Sequence, residues 1–106
     1  MTVDKLTVSS AMTFAASFVS CSKLENITFE GEIGNSIDFQ YSPLTKASIT
    51  SVVEHLWGEA SKKTATFNLN AVNKAFETSE GVNDGSTSAE WTALIGTKPN
   101  WTIALA

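Results

Sequence analysis

The sequence predicts a mixed α/β domain: short, mostly parallel strands closed by helices toward the C-terminal end. Three observations predict it. Short alternating segments recur at Leu6-Thr7-Val8, Ile27-Thr28-Phe29, Ile37-Asp38-Phe39, Thr66-Phe67-Asn68-Leu69 and Thr102-Ile103-Ala104-Leu105. Apolar–polar alternation of this kind is the signature of a half-buried strand. The first two segments stand 21 residues apart, a period within the roughly 20–29 residues of repeats that each give one strand to a parallel sheet. Finally, Ile49, Val52, Val53 and Leu56 fall at i, i+3, i+4 and i+7, one apolar face of an amphipathic helix.

The elements follow in order. After the strand at Leu6–Val8, Phe18, Cys21, Leu24 and Ile27 recur every three residues and Phe29 follows two later. Triplet spacing suits a turn and the final doublet suits a strand, so this stretch is expected to run from turn into sheet. Pro43 and Thr45 suit the entry to the helix that carries Ile49 to Leu56, and Gly58 is expected to stop it. A strand at about 64–69 leads into a short helix from Asn70, with Val72 and Phe76 on one side. Ser79 to Ser88, rich in Gly, Ser, Thr and Asn, reads as a surface loop. Thr87-Ser88-Ala89-Glu90 matches a capping box, and Trp91, Leu94 and Ile95 follow before Gly96 and Pro99 end the helix. The strand Trp101 to Leu105 closes the chain.

Composition excludes several functions. At 106 residues the chain is one domain at most. Hydrophobic residues make up 42%, enough for a core, and charged residues only 17%, below the roughly 25% usual for globular domains. The net charge is −4 and all seven basic residues are Lys, with Lys62-Lys63 the one adjacent pair. Nucleic-acid binding needs clustered cations to displace counterions from phosphates, so it is not expected. No stretch reaches the roughly 20 apolar residues of a membrane span. The mildly apolar Ala11–Val19 lacks the charged start of a signal peptide. One cysteine forms neither an intrachain disulfide nor a cysteine-based metal site.

The pattern Phe18-x-x-Cys21-x-x-Leu24-x-x-Ile27-x-Phe29 resembles the repeat of BspA-like leucine-rich-repeat proteins, found on bacterial surfaces and in some gut phages. Ser42-Pro43-Leu44-Thr45, Ser48-Ile49, Val52 to Leu56, Thr64-Ala65-Thr66-Phe67 and Trp101-Thr102 are similar to the non-repeating C-terminal segment of such chains. The resemblance runs from about residue 14 to the end. It implies a short leucine-rich-repeat solenoid with mostly parallel short strands and a helical C-terminal cap. Residues 1–44 would be the coils and 45–106 the α/β cap, in one compact domain. One good repeat and a partial one, with Gly31 and Gly34 breaking the second, fall short of the three units a solenoid generally needs. The C-terminal helices are expected to close the core instead.

The expected core is Phe18, Cys21, Leu24, Ile27, Phe29, Ile49, Val52, Val53 and Leu56, with Cys21 acting as a compact hydrophobe. Trp91 and Trp101 belong to the core of the cap, while Trp57 lies at the edge of the helix stripe as a candidate interface anchor. His55 is the one histidine and lacks a second metal ligand, so it is expected on the surface. No Gly-x-Ser-x-Gly elbow or phosphate loop is present. Glu80, Asn83 and Asp84 miss the alternating ligand spacing of a calcium loop and read as a turn. The glycosylation triplets Asn26-Ile-Thr28 and Asn100-Trp-Thr102 both fall on expected strands.

No catalytic residue, cofactor or metal site is expected, so the chain reads as no enzyme. The resemblance implies a non-enzymatic protein-binding or adhesion module of a secreted or surface repeat protein, extracellular or at the cell surface. The alternative is a structural phage virion protein, of tail or decoration type, acting in assembly or host attachment. Its partner would be a protein or host surface. Leu6 and Val8 form an uncovered strand edge that Asp4 and Lys5 merely flank, so self-association through that edge is also expected.

Overall fold

The computed structural model describes residues 2–14, 18 and 20–106. It is a small mixed α/β domain with parallel strands and three α-helices. The strands are β1 (Thr2–Val8), β2 (Asn26–Gly31), β3 (Ile37–Phe39), β4 (Lys63–Phe67) and β5 (Trp101–Leu105). The helices are α1 (Lys46–His55), α2 (Leu69–Ala75) and α3 (Ala89–Gly96), with a 3-10 turn at Gly85–Thr87. Strands β1 and β2 pair in one parallel sheet, and β3-β4-β5 form a second; neither closes into a barrel.

The expected strand pair is present with a shifted register. Leu6 lies opposite Phe29 rather than Ile27, and Val3 takes the place beside Ile27. Leu6 to Phe29 spans 23 residues and Val3 to Ile27 spans 24, so the register changes by one residue between the two pairs. Gly31 and Gly34 do not interrupt the packing here; they let this segment approach the backbone at Val8 and Ser10. A Cβ at either position would run into the backbone carbonyl of Val8 or Ser10, and Gly31 also holds φ +94, open to glycine.

Caps decide where the helices begin. The Thr45 hydroxyl accepts the Ser48 amide at the start of α1, and Asn68 accepts the Ala71 amide at the start of α2. Asn68 and Leu69, expected in a strand, therefore become a cap and a first helical residue. The α3 cap is Ser88, whose hydroxyl accepts the Trp91 amide, one residue beyond the expected Thr87. Gly58 does not stop α1: the helix ends at His55, and Leu56 turns to extended backbone to bridge Ile33.

One hydrophobic cluster joins the two sheets. Aromatic rings run through it: Phe18 lies 4.9 Å from Phe39, which stacks on Phe67 at 6.2 Å. Phe67 meets Trp91 edge-on at 5.9 Å, and Trp91 lies 5.2 Å from Phe76. Each such pair contributes about 0.5–1.5 kcal/mol beyond its buried area. Leu24, Ile27, Phe29, Ile49, Val52, Val53 and Leu56 are all buried. Phe18 and Cys21 are only partly buried, against the expectation of an enclosed slot. The stack continues past Phe18 to the buried Phe14, whose ring lies 6.4 Å away, so Phe18 is packed on both faces yet keeps part of its surface open. Ser17 and Val19, within the expected turn, lie outside the described residues.

Candidate functional site

The first functional feature is a row of polar side chains along α1. The apolar stripe of Ile49, Val52 and Val53 faces the core. Beside it, Ser48, Ser51 and His55 recur at intervals of three and four, which places them on one adjoining line of the helix. That line lies along the outer edge of β2. The Ser48 hydroxyl accepts the Ile27 amide at 2.9 Å, and the Ser51 hydroxyl accepts the Phe29 amide at 3.2 Å. His55 Nδ1 lies 2.9 Å from the Gly31 carbonyl oxygen. A carbonyl only accepts, so Nδ1 carries the proton and Nε2 keeps the lone pair in the neutral ring.

The row continues in backbone. Ile33 donates to the His55 carbonyl at 2.7 Å and accepts from the Trp57 amide at 2.8 Å. From Ile27 to Ile33, alternate residues of the β2 edge are thus satisfied by α1 or the turn after it. Lys98 fixes the end of that helix by donating to the carbonyls of Glu54 and Leu56, at 3.2 and 2.6 Å. A cation there also suits the negative end of the helix dipole. No strand can add to this side of the sheet.

The opposite edge is different. Among the described residues β1 pairs with β2 alone. Because the Phe29 amide points at α1, its partner Leu6 points its own backbone groups at β2, and Thr7 points its groups outward. Asp4 and Lys5 do not flank the strand, as the sequence suggested; they lie inside it. The ladder shifts between Val3 and Leu6, so these two residues oppose Thr28 alone, a β-bulge. Lys5 takes φ +48, turns its amide to the Thr28 hydroxyl at 2.9 Å, and holds its ammonium 3.5 Å from Glu30. The Val8 side chain is buried and that of Leu6 partly so. What β1 offers a partner is therefore its backbone edge, with Val8 withdrawn from the contact.

No family model, curated protein or solved structure matches this chain.

The remaining candidates resolve into structural roles. His55 lies in a cleft of about 510 Å³ with Glu32, Glu54, Glu59, Trp57 and Lys98. No carboxylate pairs with its ring among the described residues, and its Nδ1 is committed to Gly31. Trp57 is partly buried, and its carbonyl accepts the Trp101 indole N–H at 2.9 Å. Trp91 and Trp101 are buried. In the loop of Glu80, Asn83 and Asp84, both Asp84 carboxylate oxygens accept from Thr78, by its amide and its hydroxyl. Glu77 likewise accepts the amides of Gly81 and Asn83. The Thr78 hydroxyl, and then its amide, hold the Asp84 carboxyl below its ordinary pKa. Among the described residues no group of three acidic, His or Cys side chains is placed to hold a metal. The Asn100 amide is spent on the Ala60 carbonyl at 2.7 Å, whereas Asn26 is exposed at the start of β2.

Sequence reasoning missed the Ser48–Ser51–His55 row. Its signal was present: polar residues at helical spacing beside an apolar stripe, in place of the Lys and Glu that usually line a solvated face.

Proposed function

We propose that this chain is a non-enzymatic recognition module, the closing segment of a leucine-rich-repeat solenoid resembling the BspA-like proteins, extracellular or at a cell surface. Its local task is to end a stack of parallel strands. The observation that carries this reading is the asymmetry of the β1–β2 sheet: α1 satisfies the β2 edge at alternate residues, while among the described residues β1 pairs on one side only. The strand spacing supports it, since Asn26 stands 24 residues after Thr2 and Thr28 stands 23 after Lys5, within the period of such repeats. The partial exposure of Val3, Leu6, Phe18 and Cys21 fits an end on which a preceding coil stacks. A surface rich in neutral polar residues suits binding to a protein or host surface.

The test is to fuse one leucine-rich coil ahead of Thr2. A stacked coil gives a single unfolding transition at higher urea than the parent, because nearest-neighbour coils share an interface. A coil that melts independently, leaving the parent transition unmoved, would reject the closing-segment reading.

A further inference from the structure

We propose that the bulge at Lys5 guards the open β1 edge and keeps copies of this chain from pairing through it. The inference rests on the reading of β1 as the edge at which the sheet grows. An uncovered strand edge is a template for any other chain's backbone, and proteins blunt it with bulges and with Lys. Here both devices occupy one position. The two-for-one irregularity at Asp4 and Lys5 breaks the row of outward groups between Val3 and Leu6. It also turns the Lys5 amide inward, to Thr28, and leaves the Lys5 side chain 72% exposed at the edge.

The bulge also serves the core: Val3 and Leu6 stand three residues apart, and the extra residue between them lets both pack against the same cluster. A lysine at φ +48 sits in a region that favours glycine and disfavours other L-residues. The strand thus keeps a locally unfavourable backbone that holds Val3 and Leu6 on one face and interrupts the outer edge between them. The geometry also says which pairing is blocked. Because α1 closes the β2 edge, two copies that pair through this sheet meet β1 to β1, antiparallel about a two-fold axis. Such a pair needs a regular row of groups on both strands, and each strand is interrupted. A coil joined in the same chain is held at an effective concentration on the order of millimolar. It tolerates a weakened ladder that free copies at micromolar concentration do not.

The test is the mass in solution of the whole chain and two variants, measured by sedimentation equilibrium at about 100 µM, within the range where exposed edges associate. Deleting Lys5 removes one of the two residues opposite Thr28 and evens the ladder. Lys5→Gly keeps the bulge, since glycine accepts its φ, and removes only the charge. The expected result is a monomer for the parent and for Lys5→Gly, and at least a doubling of mass for the deletion. Adding Thr7→Pro to the deletion should restore the monomer, because the Thr7 amide faces away from β2, the one strand that β1 pairs with among the described residues.

A folded deletion variant that stays monomeric overturns the proposal. So does a parent that is itself dimeric and is split by Thr7→Pro, a result independent of whether the deletion folds. Failure of the underlying reading looks different: a Thr7 amide protected from exchange in the monomeric parent would mean that the edge is already covered.

Discussion

Replacing Ser48 with Ala tests the α1–β2 edge at its most buried point. Ser48 is 2% exposed and Ile27 is wholly buried, so water cannot reach the Ile27 amide once the hydroxyl is gone. A buried donor left without a partner costs about 1–3 kcal/mol. Part of the Thr45 contact at the helix start is lost as well, since the Thr45 hydroxyl lies 3.1 Å from that of Ser48. A domain of this size holds about 5–15 kcal/mol in all, so the change removes a sizeable share. Each kcal/mol corresponds to about 4–8 °C in Tm for domains near this length. Urea and thermal unfolding followed by Trp fluorescence read the loss. Thr50→Ala is the control: it sits on the same helix, only partly buried, and alanine favours the helix, so it should be neutral or slightly stabilising. Ser51→Ala, at a part-buried bond, should fall between the two. If Ser48→Ala and Thr50→Ala melt together, the hydroxyl does not hold the β2 edge and the terminating role of α1 fails.

Phe39→Ala should cost about 3–5 kcal/mol, because Phe39 is fully buried and contacts Phe18, Phe29 and Phe67; a loss under about 1 kcal/mol in urea denaturation would place the core elsewhere. Cys21, partly buried, should react with a thiol reagent in the native state, but more slowly than in denaturant; equal rates would mean that the turn is not packed. Thr78 holds the Asp84 carboxyl below its ordinary pKa, so its contribution is present above the unfolded-state value, about 3.9, and is lost as pH falls through the lower folded value. The Thr78 amide should therefore lose protection from exchange in that acid window, earlier and more locally than global unfolding, and Asp84→Asn should abolish the pH response.

Much of the fold was legible because strands and helices announce themselves by period. Among the described residues, the five strands and three α-helices fall where alternation and helical spacing put them. The errors sit at the boundaries, where one side chain outweighs propensity. Asn68 looks like the third residue of a strand, but its side chain caps a helix. Leu56 completes a helical stripe, yet it leaves the helix to bridge Ile33. The bulge was not legible: alternation at Leu6–Val8 carries no sign that Lys5, just before it, would take positive φ. The closed edge was half legible. Period alone reported where α1 turns its apolar side, while the partners of Ser48, Ser51 and His55 lie on a strand more than twenty residues away.

Residue-resolved amide hydrogen exchange on the unmodified chain tests most directly whether the sheet is closed on one side and open on the other. The Ile27, Phe29 and Ile33 amides, each bonded to α1 or the turn after it, should exchange only as slowly as global unfolding allows. The Thr7 amide should exchange at close to the rate of an exposed strand. Fast exchange at Ile27 and Phe29 together with a protected Thr7 would contradict the closed edge, the open edge and the terminating role built on them.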